Sequence, residues 1–371
     1  MKILHLAQSA GYGVTVYIRS VIIELAKNNY QQILLGSDYY DNEQFRQIVN
    51  KLIIVPMDRN ITKNDLKTIA QCRNIISEEK PDIVYCHSAK AGIYGRIACI
   101  GNNIKVVYNP HGWAFNMHCS TYKRLFYKIV EIVFSLFTDK IIAISQFEKN
   151  STPCLIPSKK VMNIVNGIDI EEDLHILTES KLTRKEIGIS ENKFVIGLLA
   201  RISIQKGQDL LVKAALKIVQ HIPNACFLLV GGKSDNIDIE KMIDSAGLHD
   251  YFIITGEVDN AIRYAKLFDI AVLTSRWEGF GLVLPEYMLA ERAIVSFDVD
   301  AVREIIDDGI NGILVKPEDT DALAEAIVYL YNNRDKMEKM GLSGKKKAMS
   351  NFDIKRVCNE HKLLFSQLTK S

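Results

Sequence analysis

The feature that most constrains the fold of this chain is a regular alternation of short β-branched runs and longer amphipathic stretches. Strands that alternate with helices form parallel sheets covered by helices. Since 371 residues exceed one ordinary hydrophobic core, we predict an α/β protein of two doubly wound, Rossmann-like domains that face a central cleft. The predicted strands are Lys2–Ala7, Gln32–Gly36, Leu52–Val55, Ile83–Cys86, Lys105–Asn109, Ile141–Ile144, Val161–Val165, Phe194–Ala200, Cys226–Val230, Phe252–Thr255, Ile270–Leu273, Ile294–Phe297 and Ile313–Val315.

A polar, charged stretch at residues 171–193 separates the two series of strands and is predicted to be a linker. It divides the chain into an N-terminal domain at residues 1–170 and a C-terminal domain at residues 194–349, followed by a final helix at residues 350–371. Ligands of such folds bind at the carboxyl ends of the strands. The loops after the strands are therefore where chemistry is expected.

Charge and cysteine content exclude several classes of protein. The formal net charge of +2 argues against a dedicated nucleic-acid binder. Residues 1–170 hold 20 basic and 13 acidic side chains, and the remainder hold 26 and 31; no carboxylate lies between Ile83 and Val130. Seven scattered cysteines without a C-x-x-C pair indicate reduced thiols and a cytoplasmic location. No apolar run approaches the ~18 residues of a membrane-spanning helix.

The most informative loop follows the predicted strand Ile270–Leu273 and reads RWEGFGLVLPE over residues 276–286. Its glycines free the backbone, so we expect the amides of residues 280–282 to point at an anion. Glu278 and Glu286 flank that position, and one carboxylate can face a sugar while the other binds the hydroxyls of a ribose. A surface Glu278 and a helix-capping Glu286 are the structural alternative, which an acid directly before G-F-G at a strand end disfavours.

A second loop, after the predicted strand Phe194–Ala200, brings Arg201 and Lys206 to a helix start. Fixed cations neutralise the charge that develops on a diphosphate leaving group without a metal. Asp298 and Asp300 form a D-x-D pair of the kind that holds a divalent metal on a nucleotide diphosphate. With both cations available, we expect no metal here.

Two loops of the N-terminal half carry further candidates. Gly11 and Gly13 follow the first strand and suit the approach of backbone amides to a phosphate, although a tight turn explains them equally well. A dinucleotide fingerprint needs a third glycine where Val16 stands, so a nicotinamide cofactor is disfavoured. His111 follows the predicted strand Lys105–Asn109 and can bond a sugar hydroxyl or shuttle a proton. Taken alone, the sequence around this position slightly favours a structural histidine bonded to the backbone.

Together these residues resemble the family-4 glycosyltransferases of the bacterial surface-polysaccharide type, which are retaining enzymes of GT-B fold. The resemblance covers nearly the whole chain. It rests on the E-x7-E motif from Glu278 to Glu286, the R-x4-K-G run at residues 201–207, N-G-I-D at residues 166–169, the Pro-His-Gly loop at residues 110–112 and the first glycine loop.

The resemblance implies roles for the matching residues. The catalytic candidates are Glu278, which faces the donor sugar near the reacting carbon, and His111, which contacts the sugar from the N-terminal domain. The implied donor-binding residues are Arg201 and Lys206 for the diphosphate, the amides of Phe280, Gly281 and Leu282 for the distal phosphate, Glu286 for the ribose hydroxyls, Gly13 in the first loop, and Gly231 and Val258 in loops around the nucleotide.

Two departures from the family pattern concern the C-terminal half. Paired glycines are frequent before the R/P-E segment, where this chain has Asp300 and Ala301. The segment at residues 350–371 resembles the family's tail, which crosses back onto the N-terminal domain, but Phe352 stands where a tryptophan is frequent.

We therefore predict a retaining hexosyltransferase that moves a sugar from a nucleotide-diphosphate sugar to a hydroxyl of a glycan or lipid-linked glycan, in capsule or exopolysaccharide synthesis. UDP is the preferred nucleotide through family frequency only, and no metal or other cofactor is expected. The alternatives are a GT-B-like sugar-nucleotide epimerase, a nicotinamide-dependent oxidoreductase and a two-lobed binding protein.

The segment Thr121–Phe137 sets an apolar stripe beside Lys123, Arg124 and Lys128. A core helix of the first domain is the favoured interpretation of the stripe. The alternative is a basic, aromatic face on an anionic membrane. It suits a polyprenyl-diphosphate-linked acceptor and a peripheral location on the inner face of the cell membrane.

Overall fold

A computed structural model describes residues 1–8, 12–58, 62–235 and 237–370 of the chain. The chain divides into two compact units. Unit 1 comprises Met1–Gly167 and Ile354–Ser371, and unit 2 comprises Ile168–Asp353. Each unit is built on one parallel sheet.

Every predicted strand is present, with ends shifted by no more than one or two residues. Among the described residues, the unit 1 sheet has the spatial order β3-β2-β1-β4-β5-β6-β7 and the unit 2 sheet has the order β10-β9-β8-β11-β12-β13. Strand order therefore reverses between β1 and β4 and between β8 and β11, the points where ligands of such sheets bind. The strands are β1 Lys2–Ala7, β2 Gln31–Gly36, β3 Lys51–Ile54, β4 Ile83–His87, β5 Lys105–Asn109, β6 Lys140–Ala143, β7 Val161–Asn163, β8 Phe194–Leu199, β9 Ala225–Val230, β10 Phe252–Ile254, β11 Ile270–Leu273, β12 Ala293–Phe297 and β13 Gly312–Val315.

Helices follow most of the strands, and several begin at a side chain that caps the first turn. Ser145 accepts a hydrogen bond from the Glu148 amide, and Asp169 accepts one from the Glu172 amide. The helices of the described chain are α1 Tyr12–Ala26, α2 Glu43–Ile48, α3 Asp65–Glu79, α4 Ala89–Ala98, α5 Thr121–Ser135, α6 Gln146–Asn150, α7 Ile170–Glu179, α8 Gln208–His221, α9 Ile239–Ser245, α10 Val283–Leu289, α11 Val302–Ile305, α12 Thr320–Asn332, α13 Arg334–Asn351 and α14 Ile354–Lys370. None of the helices in the described ranges combines the length and apolar character needed to span a bilayer. All seven cysteines are free thiols.

The sheet of unit 1 has an apolar cluster on each face. One cluster holds Ile76 of α3 and Tyr94 of α4. The other holds Ile18 of α1 together with Leu364 and Phe365 of α14. The last helix of the chain therefore completes the core of the first unit.

The boundary between the units differs from the predicted linker. Residues 170–179 form the helix α7, which buries Ile170 and Leu177 and packs against α10 within unit 2. The chain leaves unit 1 after Gly167 and returns at Ile354. The charge that suggested a linker belongs to the solvent face of an amphipathic helix, which has a buried face as well.

The prediction that the stripe on α5 is a core face is wrong. Tyr122 is 88% exposed, and Leu125, Phe126, Ile129, Val133 and Phe137 are also exposed. The buried side of the helix holds Glu131 and Ser135, and Tyr127 and Ile132 pack against the apolar core. The Glu131 side chain accepts hydrogen bonds from Arg96 Nη1 at 2.9 Å and from the Tyr108 hydroxyl at 2.9 Å. Periodicity identified an apolar face on α5, but it carries no information on what that face contacts.

Candidate active site

The loops at the carboxyl edge of the unit 2 sheet bring together the predicted donor-binding residues of this unit. The strands that carry them are neighbours in the sheet and surround the point where strand order reverses. Val258 follows β10, Gly231 follows β9, Arg201 and Lys206 follow β8, residues 278–282 follow β11, and Asp298 and Asp300 follow β12.

A buried ion pair lies at the reversal point. Lys206 Nζ is 2.5 Å from Glu278 Oε1, and the same oxygen accepts a hydrogen bond from the Ser275 hydroxyl at 2.7 Å. Glu278 is only 6% exposed, so the alternative of a surface Glu278 is wrong. Burying a carboxylate requires a partner of this kind, because an unpaired buried charge is strongly destabilising.

The two loops that carry this ion pair are fastened to each other. The Arg276 amide donates to the Gln205 carbonyl at 2.8 Å, and Gln205 Nε2 donates to the Trp277 carbonyl at 3.1 Å. Gly207 has φ +65°, and a Cβ there would lie 2.1 Å from the Thr274 carbonyl oxygen. Backbone contact this close holds Lys206 and Glu278 in place before any ligand arrives.

Arg201 supplies a second cation on the β8 loop. Its side chain is half-buried, and within the described ranges its guanidinium makes no hydrogen bond or ion pair. A half-buried cation without an anionic partner favours an anionic ligand at this edge.

The glycine loop turns directly into α10. Gly281 has φ +89°, a conformation that favours glycine, and Leu282 is the residue directly before the helix. The side chain of Phe280 is 2% exposed and packs edge-on against Phe352, with ring centroids 5.8 Å apart. Phe280 can therefore offer a ligand only its backbone amide, and Phe352 fills the place of the more frequent tryptophan as part of the core.

Glu286 lies in the first turn of α10. Burial raises the pKa of its carboxyl to about 7, an effect that the positive charge of Lys206 partly offsets. This carboxyl therefore exchanges a proton near neutral pH, unlike an ordinary surface glutamate.

Gly231 and Val258 lie on the flank of the same edge. Gly231 has φ +143°, and a Cβ at this position would come within 2.3 Å of the Ala200 carbonyl oxygen. Only glycine lets the β9 loop approach the β8 loop so closely. Val258 is half-buried in the loop after β10.

The carboxylates of the D-x-D pair already contact protein groups. Asp298 accepts two hydrogen bonds from the exposed Arg303, at 2.9 and 3.1 Å. Asp300 Oδ2 accepts the amide of Glu278 at 2.8 Å, although its φ of +45° is one that favours glycine. Sequence reasoning missed this contact; the departure from the glycine pattern was its only signal.

In unit 1, His111 lies shortly after β5, which neighbours β4 at the point where strand order reverses. The backbone of His111 has φ +54°, its amide donates to Asn109 Oδ1 at 2.9 Å, and its ring Nε2 is 3.0 Å from His87 Nδ1. The ring is thus bonded to a second histidine and not to the backbone. Gly13 is exposed in the first turn of α1, and Gly11 lies outside the described residues.

Two parallel α/β units, one of which presents cations and buried carboxylates at its reversal point, are the architecture of the GT-B class. Residues 12–172 match the family model Glycosyltransferase Family 4, and residues 179–347 match Glycosyl transferases group 1. Together these matches span most of the chain, which belongs to the family-4 glycosyltransferases and is an enzyme.

Curated relatives match this chain over most of their own length. The chain is 26% identical to the UDP-Gal:alpha-D-GlcNAc-diphosphoundecaprenol alpha-1,3-galactosyltransferase of Escherichia coli, over 86% of this chain and 84% of the relative. It is also 26% identical to a capsular polysaccharide biosynthesis glycosyltransferase of Staphylococcus aureus, over 95% of this chain and 94% of the relative.

Solved structures share the GT-B fold. HepE of Anabaena, crystallised with UDP and glucose, superposes with a TM-score of 0.83 at 22% identity, covering 99% of this chain and 100% of that one. Sucrose-phosphate synthase of Thermosynechococcus elongatus superposes with a TM-score of 0.84 at 18% identity, covering 99% of both chains.

Proposed function

We propose that this glycosyltransferase moves a sugar from a UDP-sugar to a hydroxyl of a lipid-linked glycan, with retention of configuration at the anomeric carbon. The observation that carries the proposal is the buried Lys206–Glu278 pair at the reversal point of the unit 2 sheet. On the same loop as Lys206 lies Arg201, whose guanidinium has no partner among the described residues. One relative, whose name specifies a UDP-sugar donor and a diphosphoundecaprenol-linked acceptor, supports the choice of substrates.

Transfer breaks the bond between the anomeric carbon and the diphosphate oxygen, so negative charge develops on the leaving group. Arg201, Lys206 and the amides of Gly281 and Leu282 neutralise that charge. These two cations provide the neutralisation that a metal ion supplies in other enzymes, so we propose transfer without a metal.

Retention follows from attack on the face that the leaving group occupies. The acceptor oxygen bonds to the anomeric carbon on that face, and the acceptor proton passes to the leaving phosphate oxygen. Glu278 already holds Lys206 and Ser275, so it acts as an orienting and electrostatic group and not as a nucleophile. His111 contacts the sugar from unit 1, Gly13 allows the first loop to approach the donor, and Glu286 accepts the ribose hydroxyls.

The test uses Arg201→Gln, with Arg303→Gln as the matched control. Arg201 lies in the loop after β8 and Arg303 lies in the short helix α11 after β12, but Arg303 is exposed and already paired with Asp298. A charge-assisted hydrogen bond contributes about 1.5–3 kcal/mol, so we expect Arg201→Gln to weaken UDP binding about 10–100-fold by calorimetry. The control keeps wild-type affinity. Equal affinity of both variants would refute the diphosphate assignment.

The donor sugar is identified by thermal shift, because a ligand that binds only the folded state raises the melting temperature. The chosen donor is then followed by NMR with and without a polyprenyl-diphosphate-linked glycan. Transfer that needs the acceptor supports the proposal, whereas isomerisation of the donor alone would indicate the epimerase.

We further propose that the exposed face of α5 docks on an anionic membrane and so meets the lipid-linked acceptor. The stripe is exposed although Glu131 fixes the opposite side of the helix in the core. Lys123 and Arg124 are exposed beside the stripe, and Arg124 and Lys128 line a hollow with Phe115. Apolar side chains flanked by cations are what an anionic bilayer surface attracts.

Vesicles of phosphatidylglycerol and phosphatidylcholine test the docking. Each cation near such a surface contributes about 1 kcal/mol, so we expect the double variant Lys123→Glu and Arg124→Glu to bind at least tenfold more weakly. Lys362→Glu on α14, which packs on the opposite face of the sheet, is the control and keeps wild-type binding. Equal binding of all three proteins would overturn the membrane assignment.

A further inference from the structure

Three histidines of unit 1 form a continuous hydrogen-bonded chain. His5 lies on β1, His87 ends β4 and His111 follows β5. His5 Nδ1 is 3.0 Å from His87 Nε2, and His87 Nδ1 is 3.0 Å from His111 Nε2. At the far end of the chain, His5 Nε2 is 2.7 Å from Oε1 of Gln32 on β2.

These imidazoles are held in the neutral form. His5 and His87 are completely buried. Desolvation lowers the pKa of His5 to about 4 and that of His111 to about 3, and it brings the pKa of His87 well below its ordinary value. A neutral imidazole carries one N–H donor and one acceptor nitrogen. Each ring in the chain must therefore donate on one side and accept on the other.

The polarity of the chain is set at Gln32. Because its carbonyl oxygen faces His5, His5 carries its hydrogen on Nε2 and accepts at Nδ1. His87 then donates from Nε2 and accepts at Nδ1, and His111 donates from Nε2. The remaining nitrogen, Nδ1 of His111, has a lone pair and no hydrogen, and no hydrogen-bond partner for it lies within the described ranges.

We propose that Gln32, His5 and His87 are positioning residues that fix the tautomer of His111, so that its Nδ1 always presents an acceptor. Where the proposed function holds, that acceptor takes a hydrogen bond from a hydroxyl of the transferred sugar. A relay of this polarity does not shuttle a proton, since a proton taken up at Nδ1 would leave a cation in a buried chain without a carboxylate. The donor sugar must therefore bring a free hydroxyl to this nitrogen.

Two independent features support a role beyond packing. Nε2 of Gln32 is buried and without a hydrogen-bond partner among the described residues, a penalty that an apolar side chain at this position would avoid. The backbone of His111 also adopts a positive φ, which the hydrogen bond to Asn109 supports. Strained backbone and unsatisfied buried groups are retained where a site needs a fixed geometry.

A neighbouring polar cluster supplies the matched control. The Tyr85 hydroxyl bonds Tyr17, His361 and Asn109, and its ring packs on His87 with centroids 4.1 Å apart. Tyr85→Phe therefore removes a buried hydroxyl beside the histidine chain while leaving the hydrogen bonds of that chain in place.

The direct test is long-range 1H–15N NMR of histidine-labelled wild-type protein without any substrate. We expect the Nε2–H tautomer for His5, His87 and His111. An Nδ1–H tautomer for His111 would overturn the proposal, and this readout is independent of whether the protein transfers sugars.

The variants test the coupling along the chain. In Gln32→Leu we expect the Nδ1–H tautomer of His111 to rise to a population comparable with Nε2–H, and kcat/KM for transfer to fall at least tenfold. Tyr85→Phe leaves the wild-type tautomer unchanged. An unchanged His111 tautomer in folded Gln32→Leu would refute the relay. A changed tautomer with unchanged transfer would refute only the contact with the sugar.

Discussion

Replacing Lys206 by methionine should destabilise unit 2 by a predictable amount. The substitution keeps most of the apolar stem but removes the cation that is paired with Glu278 at 2.5 Å, where the two side chains are 17% and 5% exposed. Removing one partner of a buried ion pair costs about 3–5 kcal/mol. We expect a loss of about 3 kcal/mol, the low end of that range, because the Ser275 hydroxyl still donates to the carboxylate.

The assay follows unit 2 alone. The chain has two tryptophans, Trp113 in unit 1 and Trp277 next to Glu278, so a Trp113→Phe background makes fluorescence report on Trp277. Urea unfolding in this background measures the loss. For a unit of this size, 3 kcal/mol corresponds to a fall in melting temperature of about 6–12 °C.

The double variant separates loss of the pair from loss of packing. Glu278→Gln removes the orphaned charge, so Lys206→Met with Glu278→Gln should regain all but about 1 kcal/mol of the loss. A single variant that loses less than about 1 kcal/mol, or a double variant as unstable as the sum of both singles, would refute the reasoning. Loss of transfer in Lys206 variants is therefore ambiguous, and Arg201 is the better probe of the diphosphate.

Three further predictions concern the same unit. Burial raises the pKa of Glu286 to about 7, so UDP affinity measured by calorimetry should rise from pH 6 to 8 as the carboxylate forms. Glu286→Gln should flatten that rise and increase the melting temperature more at pH 8, where the wild type bears the full penalty of the buried charge. Gly231→Ala should destabilise the protein and weaken UDP binding, while Gly247→Ala, with φ +67° and open space around its Cβ, loses only about 1 kcal/mol of unfolding free energy. Phe352→Trp should cost about 1–3 kcal/mol in urea unfolding, because the larger ring overfills the site against Phe280.

The sheets could be predicted from the sequence because their signal is local. Strands buried on both faces appear as short continuous apolar runs, and Lys2–Ala7, Lys105–Asn109 and Ile270–Leu273 were bounded correctly. The loop candidates of unit 2 followed from the same signal. Once the strands are located, Arg201 and Glu278 are seen to follow two of them, but it is the strand order of the fold that makes these two strands neighbours.

Contacts made over long sequence separations were not predictable. The α5 stripe is exposed because the opposite side of the helix contacts the core, where Glu131 bonds Arg96 and Tyr108, and no local pattern encodes those contacts. The histidine chain joins residues 5, 87 and 111 through the order of three strands. The role of Asp300 required the backbone position of Glu278. In each case the polar residue can be recognised in the sequence, but the residue that it contacts cannot.

Because α14 belongs to unit 1 but follows unit 2 in the chain, unit 1 cannot be completed until unit 2 has been synthesised. Unit 1 is interrupted by the whole of unit 2 before its last helix is made. On a ribosome that adds ~5–20 residues per second, the face of the first sheet that α14 will cover waits roughly 10–40 s. During that interval Ile18 and its apolar neighbours lack Leu364 and Phe365, so the nascent chain exposes an apolar surface that the finished protein buries.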